Sequence, residues 1–215
     1  MTLTGKLLLA TAAVVVFSGS AMAADLNIPA QPAPVVAPPA STDWDGPYIG
    51  ASIGYGWGTA DDTTNTDSTS LTGFFAGGQV GYNFHLSDNL VAGIEGDVNW
   101  SNEQGTFTGA DTGDTYRINW DGSVRGRLGV DLDGILPYAE AGVAFANSTF
   151  TPTAASAVSA TYTGWTVGAG VEFKVADHVS ANVEYRYSDY GSQTLGTESI
   201  KLTDNTLRAG VNYHF

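Results

Sequence analysis

What most constrains this chain is a two-residue alternation that recurs eight times after Trp44, in runs of about ten residues separated by turn residues. Successive side chains of a strand point to opposite faces, so each run makes a strand with one apolar side and one small or polar side. The first run sets Ile49, Ala51, Ile53, Tyr55 and Trp57 against Gly50, Ser52, Gly54 and Gly56. The second sets Phe74, Ala76, Val80, Tyr82 and Phe84 against Phe75, Gln79, Gly81 and Asn83, and the third Leu90, Ala92, Ile94, Val98 and Trp100 against Glu95, Asp97 and Asn99. The fourth sets Tyr116, Ile118, Trp120, Val124 and Leu128 against Arg117, Asn119, Asp121, Ser123, Arg125 and Arg127. The remaining four repeat the device with Glu140, with Glu172 and Lys174, with Glu184 and Arg186, and with Arg208 on the polar side.

The connections alternate as strictly as the strands. Segments 85–89, 131–135 and 176–179 are tight, with Asp-Asn and Asp-Gly turn chemistry, whereas 59–71, 101–114, 147–160 and 191–204 are long and rich in Asp, Thr, Ser, Asn and Gly. Short turns on one side, long loops on the other and an even strand number are the layout of an outer-membrane barrel, with both termini in the periplasm. Aromatic residues of the apolar faces fall at both expected interfaces: Trp57, Trp100, Phe145, Trp165 and Tyr187 near the long loops, Phe84, Phe173 and Phe215 near the short turns. The soluble alternative, a lipocalin-like barrel, would turn the charged faces outward and crowd the Tyr and Trp rings into a small lumen. The expected fold is therefore all-β, an eight-stranded antiparallel transmembrane β-barrel.

The N-terminus carries an address. Lys6 precedes an apolar stretch at 7–17 that is too short to span a bilayer, and Ala21-Met22-Ala23 offers the small residues a signal peptidase requires. Residues 1–23 are expected to be a signal peptide, 24–43 a Pro- and Ala-rich periplasmic spacer, and 44–215 the barrel. The chain has no cysteine, so neither a lipoprotein anchor nor disulfides contribute. A formal net charge of −14 with eight Lys and Arg residues argues against a nucleic-acid partner.

Residues that could carry chemistry are sparse. His85, His178 and His214 all fall at the short-turn end and make a weak metal or haem set, and the Gly-rich stretches precede no helix that would cradle phosphate. Asp61, Asp62, Asn65 and Asp67 lack calcium-loop spacing. No catalytic site, cofactor or metal is expected. The informative constellation is charge: Arg117, Arg125, Arg127, Lys174, Arg186 and Arg208 project to the lumen with Glu95, Asp97, Asp121, Glu140, Glu172 and Glu184, while Lys201 falls in a loop. A near-balanced set in a narrow interior points to a paired network, the alternative being the selectivity lining of a pore. Arg125 and Arg127 are expected to pair with Glu95 and Asp97 on one neighbouring strand and Glu140 on the other.

The segments GPYIGASIGYGWG (46–58), PYAEAGVAFA (137–146), VSANVEYRYSDYG (179–191) and LRAGVNYHF (207–215) resemble the outer-membrane immunogenic protein family, small porin-family barrels. The aromatic ending, with Ala209, Val211, Tyr213 and Phe215 on one face, is similar to the C-terminal signal by which the outer-membrane assembly machinery recognises barrels. The resemblance implies an eight-stranded OmpA-type barrel without a peptidoglycan-binding domain, located in the outer membrane and with a role in envelope integrity and surface exposure; outer-membrane lipid and lipopolysaccharide are the expected surroundings of such a barrel. The resemblance implies no catalytic site. A structural, surface-exposed role leads; a narrow channel for small solutes and a surface receptor, for instance for haem, stand as alternatives, and the partners of the loops stay open.

Overall fold

A computed structural model describes residues 44–62, 67–107, 113–153, 156–195 and 198–215. The expected signal peptide and spacer lie outside the described residues, as does Asn65 of the acidic segment. The strands are β1 (Gly46–Asp62), β2 (Asp67–Ser87), β3 (Leu90–Ser101), β4 (Gln104–Thr106), β5 (Thr115–Val130), β6 (Ile135–Thr151), β7 (Val158–Ala176), β8 (Val179–Leu195) and β9 (Glu198–His214). All neighbours are antiparallel, and β1 pairs with both β2 and β9, so the sheet closes on itself. The short β4 prolongs the course of β3 between β2 and β5, which makes nine segments an eight-stranded ring.

The faces carry the polarity expected in a bilayer. Ile53, Phe74, Val80, Ile94, Trp100, Val124, Val143 and Val211 are exposed on the outer wall, while Glu95, Asp97, Arg125, Glu140, Glu172, Glu184 and Arg186 are buried within the ring. An apolar outside around a charged inside suits hydrocarbon and would be untenable in water. Closure matters equally, because every backbone N–H and C=O inside the hydrocarbon must find a partner within the sheet.

The short turns follow their sequence. Asp133 and Gly134 both take positive φ, at 56° and 89°, the geometry of the two-residue hairpin whose twist matches its strands. The turns at Asp88-Asn89 and Asp177-His178 instead accompany register shifts between His85 and Ser87 and between Lys174 and Ala176.

Two expectations are corrected. The segments taken as long loops are in large part strand: β1 and β2 pair out to Asp62↔Asp67, β6 and β7 to Phe150↔Val158, and β8 and β9 to Leu195↔Glu198. Lys201 accordingly lies in β9, 3.3 Å from Asp189, and not in a loop. The second correction concerns β5, whose partner on β6 steps from Ser148 opposite Ile118 to Asn147 opposite Trp120, leaving Asn119 as a bulge. An extra residue reverses the alternation beyond it. Tyr116 and Ile118 are therefore buried inside, and Arg117 is exposed on the outer wall instead of in the lumen.

Candidate functional site

The lumen is filled in layers, and the charged layer sits between two apolar ones. Near the short-turn end Trp44 is fully buried with Val91 and Leu136. The His214 ring meets it edge-on at 5.8 Å, and the Lys174 ammonium lies 4.6 Å from its ring centre. Lys174 thus belongs to the mouth of the barrel, above which the guanidinium groups begin.

Arg125 lies at the centre, its side chain wholly buried. It pairs with Glu95 and Asp97 on β3, hydrogen-bonds Ser123 Oγ, and places Nε 2.8 Å from Glu140 Oε1 on β6. The cross-strand register explains this: Glu95 stands opposite Arg125 on β3, and Gly142 opposite Arg125 on β6 leaves the neighbouring Glu140 free to lean in. Arg127 departs from the simplest expectation. Its Nη1 is 3.6 Å from Glu95, but its closest carboxylate is Glu172 on β7, 2.7 Å from Nη2. Tyr48 Oη accepts from Arg127 at 3.0 Å and donates to Glu95 at 2.5 Å, and the guanidinium lies 4.1 Å from the centre of the Tyr138 ring.

Arg186 joins three strands, with Glu184 at 2.6 Å, Glu140 at 3.2 Å and Asp97 at 3.2 Å. Arg208 reaches Asp97 and Glu184, each at 3.5 Å, and covers the Phe75 ring at 5.0 Å. Asp121 accepts from Asn99 Nδ2 at 2.8 Å. Glu172 also binds Ser180 and Asn212 and lies 3.4 Å from His214 Nε2. Each of these named ions thus has a partner, which offsets a desolvation cost of several kcal/mol per ion.

Glu95, Glu140 and Glu184 approach closely enough to share a cation, with one oxygen of each within 4.8 Å of the others. Guanidinium groups already fill that role, since Arg125 binds the first two and Arg186 the last two. His85 lies apart, bonded to Asp45 at 2.7 Å, while His178 Nδ1 is 3.1 Å from the His214 carbonyl oxygen. The three histidines do not converge on one point.

Sequence reasoning missed the upper lumen. Leu71, Phe107, Tyr116, Ile118, Phe150, Tyr162, Ile200 and Leu202 form a buried apolar cluster there, with Phe107 and Phe150 edge-to-face at 6.2 Å. Below it Glu103 is buried where the chain breaks between β3 and β4, with its N–H and carboxylate both bonded to Ser101 Oγ at 3.0 Å. Gly56 makes room for that carboxylate, since a Cβ there would collide with it. The signal was present in Ile200-Lys201-Leu202, an alternation that continues into the assumed loop with the apolar residues now on the inner side.

An apolar outer wall, a charged and filled lumen and ring closure together describe an outer-membrane barrel, and residues 9–215 match the family model described as outer membrane protein beta-barrel domain. The chain belongs to this family. Among the relatives of this outer-membrane barrel is the 25 kDa outer-membrane immunogenic protein of Brucella abortus, 36% identical over 98% of each chain. The 22 kDa outer membrane protein of Rhizobium leguminosarum bv. viciae is 34% identical over 86% of this chain and 83% of the relative. Among solved structures, Neisserial surface protein A shares the fold at 20% identity and a TM-score of 0.51, over 79% of this chain and 97% of that one. The names of these relatives describe outer-membrane proteins and not enzymes.

Proposed function

We propose that this outer-membrane barrel is a closed scaffold that supports the envelope and holds its loops at the cell surface, without a catalytic role. The observation that carries this is Arg125: a fully buried guanidinium bound by carboxylates from β3 and β6 occupies the interior at its level, which supports a closed lumen. Eight strands enclose little more than their own side chains, which supports the same function. The proposal includes cleavage after Ala23, residues 24–43 as a periplasmic spacer, both termini on the periplasmic side, and recognition of Ala209, Val211, Tyr213 and Phe215 by the assembly machinery. The alternation of short turns and strand-built long hairpins supports that orientation.

Bilayer recording on the refolded chain, combined with urea midpoints for Arg125→Ala and for the Arg125→Ala/Glu95→Gln pair, tests the closed lumen. Truncating Arg125 leaves buried carboxylates without their cation, so a loss of about 3 kcal/mol is expected, with partial recovery in the double variant. The unaltered protein should show no steady conductance. Steady conductance whose ion selectivity follows Arg125, with an unmoved midpoint, would establish a solute channel instead.

A further inference from the structure

The bulge at Asn119 turns Arg117 outward, onto a wall that has changed character. Trp120, the last large apolar residue on the outer face of β5, pairs with Trp100 of β3 and marks the interface. Arg117 is three residues further along a tilted strand, about 7 Å above that level, which puts it within the headgroup layer. Around it the outer faces of β5, β6 and β7 form an amide and hydroxyl ladder. Asn119 Nδ2 donates to Asn147 Oδ1 at 3.0 Å and to Thr149 Oγ1 at 2.9 Å, and the Thr149 and Ser159 hydroxyls are 2.9 Å apart.

Thr115, Arg117, Asn119, Thr149 and Thr151 line a recess of about 370 Å³ on this wall. Arg117 Nη2 donates to Gln104 Oε1 at 2.7 Å, which fixes one edge of the guanidinium and leaves its remaining N–H groups for another acceptor. The acid at the head of the same strand, Asp114, already accepts from the Thr153 N–H and Oγ1 at 2.7 and 2.9 Å. In a chain with a formal net charge of −14, an exposed arginine among neutral hydrogen-bonding groups is a local reversal of sign.

We propose that this recess binds the phosphorylated sugar headgroup of an outer-leaflet glycolipid, with Arg117 on the phosphate and Asn119 and Thr149 on sugar hydroxyls. A planar guanidinium matches the oxygens of a phosphate, and an amide and hydroxyl ladder matches a sugar. The assignment of leaflet rests on the proposed orientation, in which the long hairpins face outward. The lumen takes no part, so the site and the closed scaffold stand or fall separately.

The test is a titration of the refolded, detergent-held chain with diphosphoryl lipid A, followed by tryptophan fluorescence. Arg117→Gln should weaken binding about tenfold, the scale of one charge-assisted hydrogen bond, and Thr149→Val by a few-fold. Lipid A stripped of phosphate should bind unaltered protein and Arg117→Gln equally. Lys201→Gln, which removes the cation paired with Asp189, should leave the affinity unchanged. Equal affinity of unaltered protein and Arg117→Gln for diphosphoryl lipid A, or an equal loss in Lys201→Gln, would overturn the site. Competition by inorganic phosphate at matched concentration, or an equal dependence on Arg117 for phosphatidylglycerol, would overturn the glycolipid assignment. The phosphatidylglycerol result would also count against the orientation, whereas loss of lipid A binding in Arg117→Gln would not depend on it.

Discussion

At the scale of single residues, small side chains decide where large ones can stand. Gly81 on β2 lies opposite Tyr48 on β1, and a Cβ at Gly81 would run into the phenol that bridges Glu95 and Arg127. Neither ring nor hydroxyl can retreat, because Tyr48 is 2% exposed and bonded on both sides. Gly81→Val should therefore lower the urea midpoint by an amount corresponding to about 1–3 kcal/mol, the usual scale of overpacking. Gly78, whose Cβ would meet only a backbone oxygen at an ordinary 3.6 Å, supplies the comparison: Gly78→Ala should change the midpoint far less. Equal effects at the two positions would show that backbone freedom, and not the Tyr48 ring, determines the need for glycine. From sequence Gly81 was legible as a residue of the small, polar face of β2; that its neighbour is a tyrosine on the adjoining strand depends on register.

Among the elements, β5 is the most instructive. Its alternation is unbroken as a string of letters from Tyr116 to Leu128, yet the strand changes faces at Asn119. A polar residue of no special shape marks the change, so the alternation placed Arg117 inside and Tyr116 and Ile118 outside. The eight runs, the short turns and the partners of Arg125 were legible because each rests on local chemistry or on adjacent strands. The Arg127–Glu172 pair was not, since it crosses from β5 to β7. The extent of the strands was hidden by a reversal of polarity: on β9 the inner positions include Asp204, Thr206 and Arg208 lower down but Ile200 and Leu202 above. Loop-like composition around Ile200 and Leu202 reflects the watery exterior of that part of β9, whose inside is a core. Deleting Asn119 should remove the bulge and leave Ile118 opposite Ser148 and Trp120 opposite Asn147, so that Tyr116 and Ile118 stay inside and Arg117 outside. Folded yield, scored as the fraction migrating differently before and after boiling, should therefore stay near that of the unaltered chain. A sharp drop would show that the bulge itself, through the Asn119 amide bonds to Asn147 and Thr149, is needed for assembly.

The described strands close into a ring, which protects their edges from pairing elsewhere. The seam between β1 and β9 runs from Tyr48↔His214 to Asp62↔Ile200, and the Phe215 N–H extends it by donating to the Pro47 carbonyl at 3.1 Å. Phe215 is 71% exposed, so its side chain contributes little burial inside the ring. Phe215→Ser should accordingly cut the amount of barrel assembled in cells, leave the proposed processing after Ala23 unaffected, and barely shift the urea midpoint of protein refolded in detergent. A large midpoint shift with normal assembly would make Phe215 a packing residue and not a recognition signal. Strand β1 begins two residues after the buried Trp44 and is bonded along both flanks. A pull on the N-terminal end would meet those two hydrogen-bond ladders lengthwise, loading many bonds in parallel instead of peeling them one at a time. The barrel is thus built to bear tension at the end where its polypeptide enters.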